Sequence, residues 1–125
     1  MRDFRSIKAW EKAHQLALAV YAGTKDFPRE EIYGLTSQMR RSASSIPTNI
    51  AEGCGRTGDA ELARFCQIAF GSATELEYQL LLSRDLGYLD QSSYEHLRDA
   101  TIEVKRMLAA FIKTLRSRPT DVLTS

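Results

Sequence analysis

Apolar residues recur every third or fourth position along almost the whole chain, the spacing that lines one face of an α-helix. In a first segment, about residues 6–25, Ile7, Trp10, His14, Ala17, Tyr21 and Thr24 carry the rhythm. Leu16, Val20 and Phe27 form a second stripe beside it. A second segment, 28–53, opens on Pro28, whose missing N–H is not needed in a first helical turn. Glu30 and Glu31 follow, where negative charge favours a helix start, and Ile32, Leu35, Met39, Ala43, Ile46 and Ile50 mark one face. The third segment, 58–86, has Leu62, Cys66, Ala69, Ala73, Leu76 and Leu80 and stops before Gly87, a C-cap residue. The fourth, 90–116, starts at Asp90 as N-cap, or at Ser92 with Glu95 as a capping box. Tyr94, Leu97, Thr101, Val104, Leu108, Phe111 and Leu115 continue it without a break. No segment alternates with the period of a strand. Four helices on short loops predict an all-α, up-down-up-down antiparallel four-helix bundle over residues 1–116. The polar stretch 117–125, with Pro119, is expected to be a disordered tail.

The second helix departs from a generic amphipathic pattern. Pro47 sits inside its apolar rhythm, where it removes a backbone hydrogen bond and crowds the carbonyl of Ala43, so a kink is expected. The face opposite the apolar stripe carries Gly34, Ser37, Arg41, Ser45, Thr48 and Glu52, where a solvated helix would be rich in Lys and Glu. Small residues let another helix approach. Gly34, Ser37, Ser45, Pro47 and Thr48 are therefore candidates for a subunit interface; ordinary polar surface is the alternative. The extra stripe on the first helix, with Ile102, Ala109 and Ile112 on the last, also exceeds one core seam and asks for a second partner.

The stretch "GCGRTG", Gly53 to Gly58, spells the dinucleotide fingerprint G-x-G-x-x-G. That fingerprint needs a preceding strand and a βαβ unit. Here it follows a helix, so it is read as a turn in which Gly53 or Gly55 supplies a left-handed cap and Gly58 helps start the next helix.

Composition adds bounds. The 125 residues suit one domain, and 43% hydrophobic with 26% charged residues is ordinary for a globular protein. No apolar run approaches the ~20 residues that span a bilayer, and no signal peptide is visible, so a cytoplasmic location without membrane contact is expected. Cys54 and Cys66 lack both a disulfide framework and zinc spacing. No cofactor is implied. Bundles can host di-iron sites, but Glu11-Lys12-Ala13-His14 is half such a motif and His96 lacks its glutamate, so no metal site is expected. His14 is read as a core or interface residue. Cys54 near Arg56 could be a reactive thiol, or a thiol without a role.

Net charge is only +1. Its distribution says more. In an up-down bundle, Arg2, Arg5, Lys8, Lys12, Arg56, Lys113, Arg116 and Arg118 gather at one end and outnumber Asp3, Glu11, Glu52, Asp59 and Glu61. At the other end Asp26, Glu30, Glu31, Asp85, Asp90 and Glu95 outnumber Lys25, Arg29 and Arg84. Helix dipoles alone could account for this polarity. A basic end could also meet phosphates.

"AWEKAHQLALAVY", "FPREEIYGLTSQMRRSASSIPTNIAEGCGR" and "FCQIAFGSATELEYQL" resemble the four-helix-bundle family called 23S rRNA intervening-sequence proteins, over roughly Phe4 to Leu115. Its central motif runs from Tyr33-Gly34-Leu35 through Ile46-Pro47 to Asn49-Ile50-Ala51-Glu52-Gly53. The resemblance implies a non-enzymatic homo-oligomer, a pentameric ring. A related protein, the accessory variability determinant of diversity-generating retroelements, assists a reverse transcriptase and binds nucleic acid. The expectation is a scaffold or adaptor that meets RNA or DNA through a basic end, with Arg40, Arg41, Arg56, Lys113 and Arg116 as candidate contacts. A protein–protein interaction subunit with no nucleic-acid role is the alternative, and a metal or thiol enzyme a remote one.

Overall fold

A computed structural model of the chain describes residues 2–117. Arg118 and the expected tail beyond it lie outside them. Four helices follow one another: α1 (Lys8–Gly23), α2 (Leu35–Cys54), α3 (Asp59–Asp85) and α4 (Gln91–Ser117). Single 3-10 turns precede α1 at Phe4–Ser6 and α2 at Arg29–Glu31. Neighbours in sequence pack together, and α1 closes the square against α4. The described residues contain no strand, and none of their helices is long and apolar enough to cross a membrane. This is the four-helix bundle that the periodicity predicts.

The core is a continuous seam. Met39, Ala43, Ile46 and Ile50 of α2 meet Cys66, Ala69, Ala73, Leu76 and Leu80 of α3, and Val104 and Leu108 of α4 close it. Every one of these is at most 1% exposed, so the hydrophobic effect acts on nearly whole side chains. On α1 the expected main stripe divides: Ile7, Ala17 and Thr24 are buried beside the second stripe's Leu16, Val20 and Phe27, while its larger rings are not. Ala13, Leu16 and Val20 are buried, whereas His14 and Tyr21 lie at the surface and Trp10 is half-buried. The narrow seam takes the smaller residues of α1 and leaves the large aromatic ones outside. Ile112 also belongs to the core.

The expected helix 28–53 divides in two. Pro28 is extended (φ −53°, ψ 142°) and leads only into the 3-10 turn. The continuous helix begins at Leu35, where one carboxylate oxygen of Glu31 accepts the Leu35 N–H at 3.1 Å. A Cβ at Gly34 would stand 2.8 Å from that oxygen, so glycine leaves the carboxylate room to reach back. The second Glu31 oxygen accepts the Tyr88 hydroxyl at 2.9 Å, and Tyr88 also packs on Phe27, with ring centroids 5.3 Å apart. The α3–α4 loop is thereby tied to the start of α2. Downstream, α2 is helical from Leu35 through Pro47 to Cys54.

The glycine-rich turn works differently from its expected reading. Gly53 is helical and buried, and Gly55 is right-handed (φ −81°, ψ −8°). Neither is a left-handed cap. The conformation that requires glycine belongs to Gly58 (φ +88°), just ahead of α3. Gly53 has another reason to be glycine. A Cβ there would lie 2.8 Å from the Phe65 Cβ and 2.9 Å from a Leu62 methyl, so α2 and α3 close on each other at this point.

The two ends of the α3–α4 loop match their sequence signals. Gly87 (φ +81°) donates to the Arg84 carbonyl and Tyr88 to that of Ser83, both at 2.9 Å, the paired bonds of a Schellman cap. Asp90 accepts the Ser93 N–H at 2.7 Å, and this backbone bond pulls its carboxyl below the ordinary value of 3.8. Glu95 instead takes the Gln91 amide, so no capping box forms.

The glycine contact and the cap can each be tested by substitution. Gly53→Ala should destabilise by roughly 1–3 kcal/mol through overpacking, read as a lower urea midpoint at unchanged slope. Asp90→Ala should lower Tm at neutral pH. The folded pKa is depressed, so the cap's contribution is complete above the ordinary carboxylate value and vanishes as pH falls through the folded one. Tm curves of the two proteins should therefore converge well below pH 3.8; a gap that persists in acid would contradict the cap.

Candidate functional site

Arg2 gathers the elements of one end. Its backbone N–H donates to the Cys54 carbonyl at 3.2 Å, its guanidinium bonds Asp59 at 3.1 Å, and it lies 5.8 Å from the Phe111 ring centre. The start of the chain, the α2–α3 turn and the last turns of α4 therefore meet here, as the topology requires.

Ion pairs then decide which of the gathered cations remain available. Asp3 takes Arg5 at 3.3 Å, Glu52 takes Arg56 at 3.0 Å, Glu61 takes Arg64 at 2.9 Å, and Glu103 on α4 takes Lys12 at 3.7 Å. Bonding to Arg64 also holds the Glu61 carboxyl below its ordinary range. Among the described residues Lys8, Arg106, Lys113 and Arg116 form no ion pair, and all four are exposed. Arg106, Lys113 and Arg116 share one side of α4, because spacings of seven and three return to the same helical face. No acid interrupts α4 from Val104 to Ser117.

The candidate contacts do not form one patch. Lys113 and Arg116 are on this end, unpaired. Arg56 is there too, but it bonds Glu52 and lies over Phe65, 5.1 Å from the ring centre. Arg40 belongs to the opposite end of α1. It donates to the Thr24 hydroxyl at 2.9 Å and the Tyr21 carbonyl at 3.2 Å, and stacks on the Tyr21 ring at 4.8 Å. In this position Arg40 joins the Thr24 hydroxyl in donating to a carbonyl of the last turn of α1. Arg41 beside it is exposed and unpaired.

The candidate interface residues also separate. Ser45 bonds the Ser72 hydroxyl at 2.9 Å, so it faces α3 of its own chain. Gly34 serves the start of α2. Pro47 and Thr48 line a groove of about 360 Å³ between α1 and α2, opposite Trp10, His14, Leu18 and Tyr21. Trp10 and His14 stack in parallel, 5.1 Å apart with 7° between planes. His14 is thus a surface residue rather than a core one. Leu18 is 59% and Tyr21 45% exposed. A second depression, sharing Tyr21 and Ser44, continues the groove to Ile32, Ser37 and Arg41. Sequence reasoning missed this as a surface because Trp10 and Tyr21 fall on a core-like rhythm. It also missed Tyr78, 61% exposed on the outside of α3.

Neither thiol is placed for chemistry. Cys54 and Cys66 are free and buried. Burial pushes the Cys54 thiol up, and Arg2 rather than Arg56 is the cation that opposes this. Cys66 is pushed up to about 12, again by burial. Among the described residues no three His, Cys, Asp or Glu side chains gather as metal ligands.

A family model described as 23S rRNA-intervening sequence protein matches residues 5–110. A similar solved structure comes from Bacteroides thetaiotaomicron VPI-5482 and is described as a protein with unknown function from the S23 ribosomal protein family. It aligns with a TM-score of 0.76 at 25% identity, covering 84% of this chain and 95% of that one. No curated protein matches.

The thiols offer a direct check on the packing. In the native protein a disulfide reagent should label both cysteines far more slowly than a free thiol, and denaturant should release two reactive groups. Rapid native labelling of Cys54 would contradict its burial.

Proposed function

The chain belongs to the 23S rRNA-intervening sequence protein family, and from that premise we propose a non-enzymatic homo-oligomeric ring, pentameric, that acts as a scaffold or adaptor and meets RNA or DNA through one end. The observation that carries this reading is the set of cations left unpaired there, Lys8, Arg106, Lys113 and Arg116. Cyclic symmetry would turn every copy's set to the same side. Repetition converts a few charges into a surface that condenses phosphates, and counterion release supplies the affinity.

The contact is to the backbone of the nucleic acid rather than to its bases. The aromatic rings of this end are engaged within the chain: Phe4 by Trp10 at 4.8 Å and Arg5 at 4.5 Å, Phe65 by Arg56 and Arg64, and Phe111 by Arg2. Sequence-specific reading of single strands relies on open aromatic faces. The two free thiols support a cytoplasmic location.

Titration of labelled RNA and duplex DNA at several salt concentrations tests the reading. Binding should weaken steeply with salt and depend little on sequence. Lys113→Glu with Arg116→Glu should weaken binding and flatten the salt slope by about 0.7–0.9 for each phosphate no longer neutralised. No binding at low salt, or binding indifferent to salt, would overturn the phosphate contact.

A further inference from the structure

We propose that the groove between α1 and α2 of one copy receives the outer face of α3 of the next copy, closed by Glu11 against Arg64 and Arg41 against Glu75. The proposal rests on the oligomeric reading above and names the surfaces that make the oligomer.

The two faces differ in shape. One is a groove, apolar along its length, with exposed Leu18 and Tyr21 on one wall and Pro47 and Thr48 on the other. The other is a ridge. Its exposed positions Arg64, Ile68, Gly71, Glu75 and Tyr78 follow helical spacing, and Ile68 (43% exposed) and Tyr78 (61%) are its large apolar members. Gly71 stands in the middle. A Cβ there would meet nothing within its own chain, so no internal contact explains a glycine in mid-helix. Such a glycine weakens a helix relative to alanine. Close approach by another molecule would offset that cost.

Levels along the bundle decide what meets. Ser45 of α2 faces Ser72 of α3, and Thr24 of α1 bonds Arg40 of α2. Since α1 and α3 run the same way, residue k of α1 stands level with about residue k + 53 of α3, at 1.5 Å per residue. Copies related by rotation about an axis parallel to the helices share their levels. Leu18 then faces Gly71, a large side chain against the bare position. Glu11 faces Arg64, and on α2 Arg41 is level with Glu75. Both pairs are opposite in sign and flank the apolar stretch. Glu11, Arg41 and Glu75 are exposed and form no ion pair within the described residues. Arg64 already holds Glu61, so its pair would extend a small network. The opposite-sign match at two levels favours a second copy over an unrelated apolar segment. A groove against a ridge is heterologous contact, the kind that closes into a ring when the rotation between copies divides a full turn.

The experiment is cross-linking in the full chain carrying both Leu18→Cys and Gly71→Cys, with light scattering alongside. The native thiols are buried and stay silent. Mild oxidation should give a ladder of covalent oligomers on a non-reducing gel, absent from either single variant. Arg41→Glu and Glu75→Arg should each raise the dissociation concentration by roughly tenfold, and the double reversal should restore it. An oligomer by light scattering that gives no ladder, or ignores both reversals, overturns these surfaces and leaves the oligomeric reading standing. A monomer at micromolar concentration overturns both. Covalent dimers without higher species would point to a symmetric contact and also overturn the proposal.

Discussion

The close approach of α2 and α3 at Gly53 sets the geometry on which the rest of the molecule depends. With no side chain at that point, Phe65 and Leu62 fill the space where a Cβ would stand. The helices then align so that Ser45 meets Ser72 and the Met39 sulfur accepts the Ser83 hydroxyl. Those contacts fix the relative height of every residue on both helices. The surface inherits that alignment: which cation finds an acid, and which side chains share a level, both follow from it.

Charge pairing is the second filter between sequence and surface. A near-neutral chain has an end crowded with basic residues, yet about half of them are consumed by acids within a turn or across a helix pair. Exposed pairs of this kind contribute little to stability. Their larger effect is on what remains visible to a partner. Lys8 and the α4 stripe survive the pairing; Arg5, Lys12 and Arg56 do not. Arg40, inside the central motif of α2, serves the end of α1.

Much of the fold was legible because helical rhythm and caps are local. Gly87 and Asp90 do what their residue types announce. The start of α2 was not legible, because Glu31 caps the helix from four residues away and Gly34 makes room for it, a contact that no propensity encodes. Gly53 was misread for a similar reason: its requirement lies in another helix, not in its own backbone angles. On α1 Trp10, His14 and Tyr21 looked like core, but the seam kept only Ile7, Ala17 and Thr24 of that rhythm and left the larger rings outside. Charge segregation could be read by counting; which charges stay free depends on side-chain reach and could not.

Glu31 has a consequence beyond starting a helix. One of its oxygens holds the first turn of α2 and the other holds Tyr88 between α3 and α4. Two connections far apart in sequence therefore lean on a single carboxylate. Displacing that carboxylate loses both bonds at once. Fraying of the turn that carries Glu31 would therefore loosen the first turn of α2 and the α3–α4 loop together.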